Sequence, residues 1–315
     1  MGFSDSGVAY RLTKLLLAVS TALASQLATS ATTRGFIALA VPPSTPSEAN
    51  NTAIDLNGDG HAENQLGMVF SALASSGFDV SAAVNAGTVV YLLRVTSNDP
   101  AFQTDASARA EWFVGEPTAP TPPDFSGNGS FQADSAYMPG KFIAPLVGAN
   151  FVSANPATTS TPVDVPLNLV LGNGFVVPLH GARLAFSVSS GGLMQGQING
   201  SVRAADVQNI IVPSIANLLN QIVAVGGSTA TMVLNLFDTG CNGVGANDGV
   251  IALCEVSGNS LLSPLLAADV DIYAEDGSYA PNPANTGKDS VSFGMLFSAA
   301  NAQVLVDLIF ADSFE

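Results

Sequence analysis

The chain reads as a mainly β protein, an antiparallel β-sandwich or open barrel with a few accessory helices. Three observations predict this. Short β-branched runs recur, Gly and Pro punctuate them closely, and helical spacing is confined to a few stretches.

Taken in order, residues 35–40 form an apolar patch that runs into Val41-Pro42-Pro43-Ser44-Thr45-Pro46-Ser47. That Pro/Ser segment reads as a linker, so residues 32–48 are assigned to it and the fold is expected to begin near Ala49. Leu66, Val69, Phe70 and Leu73 then recur at the spacing of a helix with one buried face. Residues 88–96 are β-branched and bounded by Gly87 and Asn98-Asp99-Pro100, which predicts a strand. Further strands are expected over 110–114, 163–171, 175–179, 182–189, 193–202, 291–297 and 304–310. Between 204 and 224, Ile210, Ile211, Ile215, Leu218, Leu219 and Ile222 predict an amphipathic helix, with Pro213 at a start or kink. The division expected is a β-rich unit over 49–237, then an EF-like turn and closing strands over 238–315, in the same or a second small domain.

Composition narrows the function. With 9 Lys plus Arg against 25 Asp plus Glu, the net charge of −16 argues against nucleic acid and against anionic lipid as partners. Hydrophobic residues at 47% exclude a disordered chain. Arg11 and Lys14 precede an apolar run from Leu15, and small residues follow toward Ala24 and Ala31. That order predicts a signal peptide over 1–31, with a short surface helix as the alternative. The run is too short to span a bilayer, so no membrane span is expected after processing. A secreted protein follows, extracellular or on the cell surface, with the periplasm as the alternative. Cys241 and Cys254 permit one disulfide in such a compartment.

The acidic turns carry the chemistry. Asp55-Leu56-Asn57-Gly58-Asp59-Gly60-His61-Ala62-Glu63 matches the opening nine positions of an EF-hand calcium loop. Asp55, Asn57 and Asp59 would supply side-chain oxygens, His61 its carbonyl, and Glu63 the water-mediated position. Leu66 stands where a bidentate Glu is usual, so a remote carboxylate must complete the site or it is weak. A second loop keeps the other half of the pattern, Asp248-Gly249 with Glu255 at position twelve. Asp238, Asn242 or Asn247 would have to replace its missing early ligands; a metal-free turn is the alternative. In a third cluster, Asp269 and Asp271 would share one strand face, either solvated or bridged by a cation.

These patches resemble secreted bacterial proteins of undetermined role. Asn64-Gln65-Leu66-Gly67 after the Asp-rich opening is similar to their Asn-x-Leu-Gly. Gly240-Cys241 through Glu255 is similar to their Gly-Cys turn leading into Asp-Gly-x-Ile and Glu. Asp269 to Gly277, then Asp289-Ser290-Val291-Ser292-Phe293-Gly294, resembles their closing series. The tail Phe310-Ala311-Asp312-Ser313-Phe314-Glu315 resembles an ending on exported proteins of some Gram-negative bacteria. The resemblance implies export and Ca2+ and brings no activity.

Hydrolase motifs are missing: there is no Gly-x-Ser-x-Gly and no His-Glu-x-x-His, and His61 and His180 are the two histidines. The expectation is an exported calcium-binding module with a glycan or cell-surface component as partner. The rival is a secreted hydrolase, glycan-directed, using Asp/Glu pairs that the sequence does not locate.

Overall fold

Every second side chain of β1 (Thr32–Val41), namely Phe36, Ala38 and Ala40, is buried toward one interior. The strands that share this interior are described by a computed structural model covering residues 31–169, 175–189 and 194–307. Apart from Ala31, the expected signal peptide lies outside the described residues, as does the Phe-Ala-Asp-Ser-Phe-Glu tail.

After β1 come β2 (Val90–Ser97), β3 (Thr104–Gly115), β4 (Ser130–Gln132), β5 (Gly140–Val147), β6 (Asn150–Val152) and β7 (Val165–Leu169). They are followed by β8 (Phe175–Val188), β9 (Met194–Arg203), β10 (Ser290–Asn301) and β11 (Gln303–Leu305). Hydrogen bonding runs in the order β6-β5-β3-β2-β1-β10-β9-β8, and β6 pairs again with β8. The result is a closed antiparallel barrel of 8 strands, so the sheet curls fully and leaves neither an open barrel nor two facing sheets.

The register keeps one face inward throughout: Phe36 opposes Leu93, Leu93 opposes Trp112, and Phe151 opposes Phe186. Trp112 is fully buried and lies 5.3 Å from Tyr91 and 5.2 Å from Phe297, ring centre to ring centre. Burying an aromatic of this kind is worth about 1.5–3 kcal/mol. The described inward side chains thus join in one packed core.

Three sequence expectations change here, and one open alternative is settled. Residues 32–41 are a central barrel strand, not a linker. Phe36 points inward while Ile37 packs outward with Val90, Leu92, Phe113 and Phe131 beneath the short parallel pair β4–β11. A strand buried on both faces shows no alternation, which is why it did not read as one. The two strands expected over 175–179 and 182–189 are one, β8, with a bulge between His180 and Arg183. Its first half pairs with β7 and its second with β6. The strand expected over 304–310 is β11, short, with 308–310 outside the described residues. Finally, β10 sits between β1 and β9, so the closing segment belongs to the same barrel.

The helices are α1 (Pro46–Asn51), α2 (Gln65–Ser75), α3 (Ala82–Asn85), α4 (Ala204–Val225), α5 (Gly227–Phe237), α6 (Leu253–Ser257) and α7 (Ser263–Leu266). In α2 the predicted face is buried, and Phe70 meets Phe293 of β10 at 5.8 Å. Helix α4 opens with a π segment, Val207–Ile211, before Pro213. It has the length and hydropathy of a membrane span, yet Val207, Ile211, Ile215 and Leu219 are buried in the main core.

Candidate cation site and the polar seam beside it

Asp55 opens the candidate loop, and its two carboxylate oxygens accept the Gly58 and Gly60 amides at 2.6 and 3.0 Å. Both glycines adopt φ of 86°, a conformation costly for any residue with a Cβ. Asn57 Oδ1 accepts the Asp59 amide at 3.3 Å, and Asp59 Oδ1 accepts the His61 amide at 2.8 Å. Alternate side-chain oxygens are thereby turned into the curl of the loop. The ends are pinned, since the Glu63 amide donates to the Ile54 carbonyl at 3.2 Å. Ile54 and Leu56 pack on Val270 and Ile272, which fixes the loop against the C-terminal segment.

That packing brings in residues the spacing of the loop could not reveal. Asn285 Nδ2 reaches Asp59 Oδ2 at 3.2 Å and the Asp269 carbonyl at 3.1 Å. Asn285 Oδ1 and Glu63 Oε2 are both buried without a hydrogen-bond donor. Burial pushes the Glu63 carboxyl from an ordinary 4.5 up to about 7, and the neighbouring charges of Asp59, Asp269 and Asp55 push the same way. Two buried acceptor oxygens therefore lack a donor near a loop whose own side-chain oxygens already accept backbone amides. Among the described residues no group of three His, Cys, Asp or Glu side chains forms a metal centre. A cation held here would draw on amide and carbonyl oxygens as well as carboxylates, which suits calcium rather than zinc.

A pH test follows from Glu63. Its folded pKa is raised, so the stability it contributes is complete below its unfolded value and is lost as pH rises through about 7. In EDTA the melting temperature is expected to fall between about pH 4.5 and 7, and Glu63→Gln is expected to flatten that fall. An identical slope in wild type and variant would refute the assignment.

The other acidic turns are built differently. Asp238, 4% exposed, accepts the amides of Asp248 and Gly249 at 3.2 and 2.8 Å. It is one of the substitutes the sequence offered, and here its carboxylate holds the loop backbone. Glu255, 2% exposed, accepts the Gly240 and Ala252 amides at 2.7 and 2.8 Å. Asp248 is exposed and accepts the Val250 amide. Cys241 and Cys254 are bonded and bracket this loop.

No family model matches the chain, and comparison with curated proteins and with solved structures finds no match either.

Asp269 and Asp271 are buried rather than solvated. Asp269 accepts the Ser292 amide and hydroxyl, while Asp271 accepts Asn282 Nδ2 and the Gly287 amide. Asp289 accepts the amides of Ile272 and Tyr273. Of the residues that carried the resemblance, Asn64–Gly67, Asp269 and Ser292–Gly294 meet in one seam between α2 and β10. At its centre Asn64, 6% exposed, donates to the Ala49 carbonyl, Thr52 Oγ1 and the Gly294 carbonyl. Its oxygen accepts the amides of Gly67 and Gly294. A Cβ on Gly67 would lie 2.4 Å from that oxygen, and one on Gly294 would lie 2.4 Å from the Thr52 carbonyl. The Asn-x-Leu-Gly motif is thus a packing requirement.

His180 stands apart from these loops. Its Nδ1 lies 3.0 Å from Asp164 Oδ2, and its ring meets Tyr273 edge-on at 5.7 Å. Its register partner Ser201 turns its hydroxyl to the His180 carbonyl at 3.4 Å, away from a nucleophile's role.

Proposed function

We propose that the protein is an exported, calcium-binding β-barrel that serves as an extracellular or cell-surface binding module. The observation that carries the calcium reading is the Asp55–Glu63 loop, with Glu63 Oε2 and Asn285 Oδ1 buried and donorless beside its carboxylates. Asp55, Asn57, Asp59, the His61 carbonyl and Glu63 are the ligands, and Asn285 with Asp269 takes the part of the absent residue at position twelve. Asp248 and Glu255 form a second candidate, in which Asp238 and Glu255 hold the backbone and Asp248 is exposed. Export is supported by the basic-apolar-small order of the N-terminus and by the Cys241–Cys254 bond, which persists in oxidising compartments. A binding role is favoured over hydrolysis because Asp238, Glu255, Asp269 and Asp271 are engaged in hydrogen bonds within loops. Such acids are not poised across a groove.

The decisive measurement is thermal unfolding with calcium and with EDTA. Binding to the folded state alone adds RT ln(1 + [L]/Kd), about 2.7 kcal/mol at a hundredfold excess over Kd. An affinity of roughly 10⁻⁴ to 10⁻³ M is expected, the range of extracellular modules. Millimolar calcium should raise the melting temperature, and Asp55→Ala with Asp59→Ala should abolish most of the rise. The same melting temperature in calcium and in EDTA would end the proposal.

A further inference from the structure

The outward wall of β6, β8, β9, β10 and β1 bears a groove of about 640 Å³. The register resolves its lining into two parallel rows. Val152, Ala185, Gln197, Leu296 and Val41 stand side by side across the five strands. Two residues along each strand, roughly 7 Å away, stand Asn150, Ser187, Gln195, Ser298 and Leu39. The former row is apolar but for Gln197, and the latter is polar but for Leu39.

Three features point to what would fill it. Leu296 is 48% exposed and Val152 46%, so the apolar row is left wet at a cost that an apolar body would relieve. A second cavity of about 250 Å³ shares Val41 and Leu296 and continues under Pro42 and Pro43, where Ser44, Thr52 and a Glu48 carboxylate already engaged by Ser44 also line it. The side chains of Ser187, Gln195, Gln197 and Ser298 make no hydrogen bond to another described residue, so their donors and acceptors are free for a ligand. No ionisable side chain lines the main groove, although the chain carries a net charge of −16. An anionic head would be repelled by that field, and a cationic head would find no carboxylate to pair with.

We infer that this groove binds an uncharged amphiphile, with one alkyl or acyl chain along Val152, Leu296 and Val41 toward Pro42. Its neutral hydroxyl- or amide-bearing head lies on Ser187, Gln195 and Ser298. The volume lies within the roughly 300–1,000 Å³ of small-molecule sites. This site is separate from the calcium loop and does not depend on it.

The test is calorimetric titration of the full chain, with calcium present throughout, using n-octyl β-D-glucoside below its micellar concentration. One molar equivalent should bind. Glucose, octyl sulfate and octyltrimethylammonium should each bind at least about tenfold more weakly, which is about 1.4 kcal/mol. Leu296→Asp places a charge on an already exposed position of the apolar row and should weaken binding about tenfold or more. Gln195→Ala with Ser298→Ala should weaken it about threefold to tenfold, with the melting temperature of both variants unchanged. The inference is overturned by failure of octyl glucoside to bind, by equal binding of glucose or of a charged analogue, or by indifference to Leu296→Asp. It is also overturned if sedimentation shows a dimer that Leu296→Asp dissociates, since a second copy then covers the wall.

Discussion

Replacing Asn64 by leucine is expected to destabilise the protein by about 3–5 kcal/mol, the largest effect of any single polar substitution proposed for this chain. The side chain is not a simple helix cap. It serves Ala49 and Thr52 at the end of α1, Gly67 in the first turn of α2, and both backbone groups of Gly294 on β10. Leucine would take the Asn64 acceptor from the Gly67 and Gly294 amides and one donor from the Ala49 and Gly294 carbonyls, which keep Thr52, and an unpaired buried group costs about 1–3 kcal/mol before relaxation. Asn64→Asp separates the network from capping. At an ordinary N-cap aspartate and asparagine are nearly equivalent. Here a carboxylate would face the Ala49 and Gly294 carbonyls that the amide now serves, so aspartate should lose several kcal/mol as well. Denaturant midpoints at constant m measure both changes. An aspartate variant as stable as wild type would reduce Asn64 to a cap and remove the seam from the account of the fold.

Loss of the Cys241–Cys254 bond, through the double serine variant or by reduction, should cost about 2–3 kcal/mol. The cysteines are 13 positions apart, and closing such a loop removes conformational freedom from the unfolded chain. The loop has independent anchors, since Asp238 and Glu255 hold its backbone by four amide bonds. It should therefore keep its shape without the bridge. The signature is a lower denaturant midpoint with an unchanged m and an unchanged circular dichroism spectrum. A midpoint that does not move would mean that the bridge contributes nothing to stability.

Legibility from sequence followed exposure. Helix α2 was readable because one face meets the barrel and the other meets water, so Leu66, Val69, Phe70 and Leu73 stand out at helical spacing. Strand β1 was not, because Ile37 is covered on the outside as fully as Phe36 is on the inside. Strand β5 was also missed: Phe142, Ala144 and Leu146 are buried, but the outward Ile143 and Val147, 63% and 66% exposed, are apolar and hide the period. In the candidate site the Asp55–Glu63 spacing was legible because its ligands are local. Asn285 lay within a Pro/Asn/Gly stretch that reads only as a turn, and its approach to Asp59 arises from strand order, which leaves no local mark. Asp269 did stand out, but the Ser292 that engages it is 23 positions away and leaves no local mark.

The place of β1 in the barrel bears on when the protein can fold. One edge of β1 pairs with β2, which follows soon after it, but the other pairs with β10, where Phe36 opposes Asn301. While the chain is still being made or moved, that edge stays bare and the ring stays open. Closure waits for nearly the last described strand, a contact of very high sequence separation and hence a slow one. Until then Phe36 and the partner face of β9 are exposed together, which makes the incomplete chain sticky and unable to commit to its final shape. A chain that ends before residue 290 should behave as an aggregating fragment rather than a smaller folded protein, and a full-length chain should acquire its structure late and all at once.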